Sequence, residues 1–130
     1  MPLEKVQTDE APRAIGPYSQ AVKVGDFVFA SGQIGIDPKT GQMDGKEIRN
    51  QTFRVLQNLE AVLKASGVGL DKVVKTTIYL TDLTNFGAVN DIYQFKFTAD
   101  PRPARETVEV SRLPKDALVE ISCIAYIPKN

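Results

Sequence analysis

The side chains that could do chemistry in this chain are few, and the two most informative fall close together near its C-terminal end. The 130 residues include no histidine and one cysteine, Cys123. A histidine-based nucleophile triad and the common zinc sites are therefore out of reach. What remains is carboxylate, guanidinium, ammonium, phenol, hydroxyl and backbone. In "RPARETVEVSRLPKDALVEISCIAY" an arginine, Arg105, opens one apolar strand and a glutamate, Glu120, interrupts the next. Ions in such places cost several kcal/mol each when dry and unpartnered. Either the two satisfy each other as a partly buried ion pair, or Arg105 is free to grip a substrate carboxylate while Glu120 positions or activates a water.

Three further stretches could contribute. In "GPYSQA" the Gly16-Pro17 turn presents Tyr18 and Ser19 just before a strand. Tyr18 either packs its ring locally or lines a binding surface. "SGQIG", Ser31 to Gly35, offers backbone N–H groups and a hydroxyl suited to an anionic or carbonyl oxygen, and it matches neither phosphate-loop fingerprint. Asn90 faces either a cleft or solvent. Cys123 has strand parity opposite to Glu120 and lies among Ile121, Ala125 and Ile127, which makes it a core residue.

These groups need elements to hold them. "AVKVGDFVFASG" reads as a hairpin turning at Gly25-Asp26. From 46 to 66 the apolar residues Ile48, Val55, Leu56, Leu59, Val62 and Leu63 follow a helical period, with Asp44 and Glu47 at capping-box spacing and Gly67 as terminator. Val73 to Leu80 is β-branched and reads as a buried strand. A second helix is expected over 84–97, ended by Pro101 and Pro103, then strands over 105–110 and 117–127. With a weak strand near 3–8, the order predicts one domain over 1–130, an α+β sandwich with helices on one sheet face. If the last two strands form a hairpin with Val110 opposite Ala117, then Arg105, Thr107 and Glu120 share one face as a single polar cluster.

Bulk properties narrow the partners. Lys and Arg total 16 and Asp and Glu total 16, with no basic stripe, which argues against nucleic acid. One cysteine fits a reducing, cytoplasmic setting, and no apolar run approaches membrane-spanning length.

Taken as an ordered set, "AIGPYSQAV", "FASGQIGIDPKTG", "QTFRVLQNLEAVLKASG", "VVKTTIYLTDL", "AVNDIY" and "PARETVEVSRLPKDALVEISCIAY" resemble the RidA (YjgF, reactive intermediate deaminase A) family from about Ile15 to Tyr126. The resemblance implies a chorismate-mutase-like α+β fold, a homotrimer with small-molecule sites between subunits, and no cofactor or metal. It implies hydrolysis of enamines and imines such as 2-aminoacrylate, 2-iminopropanoate and 2-iminobutanoate to the 2-keto acid and ammonia. Arg105 would then bind the substrate carboxylate and Glu120 would hold the attacking water. Tyr18, from a neighbouring subunit, would line the cleft with Ser31, Gly32, Asn90 and the backbone of Thr107. The chain departs from the family pattern at Thr107, where many relatives have cysteine, and at Arg102, where many have an apolar residue. A non-catalytic metabolite-binding or regulatory protein using the same cleft is the alternative, and an RNA-cleaving translation inhibitor fits the charge balance least.

Overall fold

The computed structural model describes residues 2–129. These form a six-stranded mixed sheet with two α-helices on one face, the α+β architecture expected. In chain order the elements are β1 (Glu4–Val6), β2 (Ala21–Val24), β3 (Phe27–Gln33), α1 (Ile48–Ala65), β4 (Val73–Leu80), α2 (Phe86–Lys96), β5 (Ala104–Glu109) and β6 (Val119–Tyr126).

The first helix forms where the 3.6-residue period places it. Val55, Leu56, Leu59, Val62 and Leu63 are completely buried against the sheet. Each such side chain contributes roughly 1.5–3 kcal/mol of transfer free energy. Gly67, at φ +95°, ends the helix as expected, and the Val68 amide donates back to the Leu63 carbonyl. The expected capping box is not formed. Glu47 occupies the N-cap without a side-chain bond, because Asp44 turns away to pair with Arg54 at 3.0 Å. The start of α2 is set instead by Asp82, whose Oδ1 accepts from the Thr84 amide and hydroxyl in the short turn before it.

Strand order is β1-β2-β3-β6-β4-β5, and only the β4–β5 pair is parallel. A parallel pair needs a crossover connection, which α2 supplies. The expected hairpin between the last two strands is therefore absent. The connection from β5 passes over the end of β4, where Val110 donates to the Leu80 carbonyl and Thr81 donates to that of Leu118. It turns through Lys115 and Asp116, both at φ 56°, and delivers β6 between β3 and β4.

Register then decides which face each functional side chain takes. Thr76 on β4 lies opposite Arg105 on one side and Cys123 on the other, and Ile78 lies opposite Thr107 and Ile121. These share the helix-covered face, where Thr76, Ile78, Ile121 and Cys123 are buried. Cys123 is a core thiol, as its parity indicated, and burial pushes its pKa up to about 12. Tyr79 pairs with Val108 and Glu120, so Glu120 stands on the open face, away from Arg105.

Candidate functional site

Two half-sites result, one on each face of the sheet. The first is built on β5 and α2. Phe86, Asn90 and Tyr93 fall four and three residues apart along α2 and so form one stripe above the edge strand. The Arg105 guanidinium carbon lies 4.9 Å from the Tyr93 ring centroid and 5.2 Å from that of Phe86. Its Nη1 donates to Asn90 Oδ1 at 2.6 Å. Tyr93 is itself fixed by a buried 2.7 Å hydrogen bond between its hydroxyl and that of Thr76. Burial raises the Tyr93 pKa, so the phenol stays neutral beneath the cation.

Arg105 has no ion-pair partner among the described residues, so the alternative of an Arg105–Glu120 salt bridge is not realised. A planar guanidinium stacked on rings and tethered at one nitrogen keeps the rest of its fork available for a carboxylate. The cleft beside it, about 400 Å³, is lined by Asn90, Tyr93, Gln94, Arg102, Pro103 and Arg105. Thr107 sits two residues on, half-buried on the same face of the edge strand.

The second half-site surrounds Glu120. It is a cleft of about 730 Å³ whose lining includes Arg13, Tyr18, Ser31, Gly32, Lys115 and Glu120. Glu120 is half-buried, and desolvation raises its pKa above the ordinary carboxylate range. Gly32 lies where the ladder between β3 and β6 is interrupted, between Ala30 and Gln33. A Cβ there would run into Glu120 Oε2 and lie 2.8 Å from Cδ, so the glycine makes room for the carboxylate.

Ser31 differs from expectation. Its amide donates to the Gln20 carbonyl at 2.9 Å and its hydroxyl to the Ser19 carbonyl at 2.6 Å. Neither proton is left for a ligand oxygen, and Ser31 instead ties the Tyr18 turn to β3. Gln20 extends that tie, accepting from the Thr8 amide and donating to the Pro12 carbonyl. Tyr18 is half exposed at the cleft wall.

Within one chain the structure thus groups Tyr18, Ser31, Gly32 and Glu120, and separately Asn90, Arg105 and Thr107. The single polar cluster expected from a hairpin register does not exist, because β4 intervenes between β5 and β6. The rings under Arg105 carry no role in the sequence reading, although their spacing from Asn90 places them on its stripe. Lys115 is also unanticipated, since its place depends on the crossover turn. Among the described residues no group of three His, Cys, Asp or Glu is arranged to hold a metal ion, and no helix is long and apolar enough to cross a membrane.

Comparison with known proteins adds a family to this geometry. The model of the family described as endoribonuclease L-PSP matches residues 8–127. The chain belongs to the RidA (YjgF) family. A RutC family protein of Pyrococcus abyssi is 50% identical over 126 residues, covering 97% of this chain and 98% of that one. The chloroplastic Reactive Intermediate Deaminase A of Arabidopsis thaliana is 50% identical over 124 residues, or 95% of this chain and 66% of that one. The crystal structure of a protein of unknown function of the conserved Rid family, YyfA from Yersinia pestis, superposes with a TM-score of 0.95 at 50% identity, covering 97% and 100% of the two chains. RidA-family architecture accounts for the order of elements around both half-sites.

Proposed function

We propose that the protein is a hydrolytic deaminase of small 2-imino and 2-enamino acids, releasing the 2-keto acid and ammonia. The observation that carries this reading is Arg105: a guanidinium held by Asn90 and two aromatic rings, with no carboxylate among the described residues to neutralise it. The substrate carboxylate takes that place, 2-aminoacrylate, 2-iminopropanoate and 2-iminobutanoate being the expected class. Membership in a family that includes a Reactive Intermediate Deaminase A supports it.

The two half-sites serve one reaction if they come from different copies of the chain. The helix-free sheet face supports assembly, since Phe27, Phe29, Val74, Val108 and Tyr126 are each more than 40% exposed there or at its edge. An apolar patch of that kind marks an interface. In a homotrimer, Arg105 of one copy anchors the substrate and Glu120 of the next faces the imine carbon, with Tyr18 on the Glu120 side.

The chemistry then needs little from the protein. An enamine first tautomerises to the imine, taking a proton at its terminal carbon and giving one up from nitrogen. Glu120 orients a water and accepts its proton as the oxygen adds to C2, and its raised pKa brings it nearer the operating pH. Glu120 hands that proton on to the nitrogen to complete the carbinolamine, the hydroxyl proton then follows it, and the C–N bond breaks to release ammonia and leave the keto acid. Anchoring and orientation supply most of the acceleration, since the carbon is already electrophilic. Cofactors and metals have no part in these steps. RNA cleavage, which the family description names, fits poorly with a zero net charge and a carboxylate in the larger cleft.

The test is keto-acid formation from an imine generated in situ by a dehydratase, measured against the buffer rate. Wild type accelerates it and Arg105→Ala loses roughly a hundredfold of that acceleration, as expected for a charge-assisted anchor. An Arg105→Ala protein that keeps full activity contradicts the assignment.

A further inference from the structure

Arg105 is not the sole cation in its cleft. Arg102, three residues upstream, lines the same space, and the set that completes the lining (Asn90, Tyr93, Gln94 and Pro103) contains no acid. Arg102 is oriented by one contact, from its Nε to the Phe97 carbonyl at 3.0 Å at the end of α2. That bond uses the inner nitrogen, and both terminal amino groups are without a hydrogen-bond partner among the described residues. Arg102 has no ion-pair partner among the described residues.

Two guanidinium groups sharing one cleft without an anion repel each other and focus a positive potential into it. A monocarboxylate held by Arg105 answers one of these charges. We propose that Arg102 answers a second acid on the substrate, making the cleft selective for 2-imino acids whose side chain carries a carboxylate. Such imines are the products of two-electron oxidation of acidic amino acids at the Cα–N bond. The inference rests on the reading that Arg105 holds the first carboxylate.

Binding separates it from that reading. Calorimetric titration with 2-oxoglutarate and with 2-oxobutyrate compares a second carboxylate with none. Wild type favours 2-oxoglutarate, Arg102→Gln lowers the ratio of the two affinities about tenfold, and Arg102→Lys restores most of it, since one charge-assisted contact at an exposed side chain is involved. Equal affinities in wild type, absent 2-oxoglutarate binding, or a preference that survives Arg102→Gln overturns the proposal and leaves Arg102 as a cap on α2. Turnover of 2-iminoglutarate, generated by a glutamate oxidase, against 2-iminobutyrate reads the same ratio in kcat/KM. If wild type accelerates neither imine, the deaminase reading fails while the titration still decides the subsite.

Discussion

Gly32→Ala is the smallest change that separates the position of Glu120 from its presence. Gly32 is not in the left-handed region, so alanine is compatible with its backbone. The cost comes from the new Cβ, which meets Oε2 of Glu120 and lies 2.8 Å from Cδ and 3.0 Å from Cγ. Restoring ordinary contact moves the carboxylate by about 1 Å, a misplacement that costs on the order of a hundredfold in rate. Stability should change little, within about 1 kcal/mol, because the obstructing group is the end of a side chain facing an open cleft and alanine lowers the entropy of the unfolded chain. Imine hydrolysis and urea denaturation of the same preparations read the two quantities. In a Glu120→Ala background, Gly32→Ala should cost no further activity, since no carboxylate is left to displace. Full activity of a folded Gly32→Ala protein refutes the placement of Glu120, and a stability loss of several kcal/mol refutes its freedom to move.

Glu120→Gln should abolish turnover while leaving 2-keto-acid binding within a few-fold of wild type, measured by titration. Desolvation raises the folded-state pKa of Glu120, so the fold favours its protonated form, and that contribution is lost as pH rises through the raised value. The stability of Glu120→Gln relative to wild type should therefore rise as pH increases from the ordinary carboxylate range through the raised value, and a relative stability that falls over this range contradicts the assignment. Wild-type kcat/KM should show an acid limb above the usual carboxylate range. Phe29→Asp, on the open face beside Phe27 at 6.5 Å between rings, should give a folded monomer by light scattering and lose activity with assembly. Were Phe29 merely an exposed residue of a monomer, the same change would alter stability by about 0.5 kcal/mol and leave activity intact.

Local features were legible in the sequence where one element's own residues decide them. The period of Val55, Leu56, Leu59, Val62 and Leu63 specifies α1 because its apolar face has one place to go, and Gly25-Asp26 specifies the turn between β2 and β3. The pairing of β5 was not legible from alternation, which orients side chains along a strand but says nothing about its neighbour. The strand-helix-strand order of β4, α2 and β5 did carry the signal for a parallel pair. The capping box failed because Asp44 pairs instead with Arg54, ten residues on in the helix itself. Arg105 and Glu120 stood out by type and place, while Asn90 entered the site through the family resemblance; the division between two faces depends on register, a property of three strands together.

The most direct test of the account is complementation between two inactive variants. Arg105→Ala retains Glu120, and Glu120→Gln retains Arg105. If each site draws Arg105 from one copy and Glu120 from the next, co-refolding equal amounts places both intact groups together in about one site in four, by random assembly of a cyclic oligomer. Recovery of about a quarter of wild-type activity is expected from the mixture, where each variant alone has almost none. Refolded mixtures that assemble normally yet stay as inactive as their components would contradict a site shared between copies.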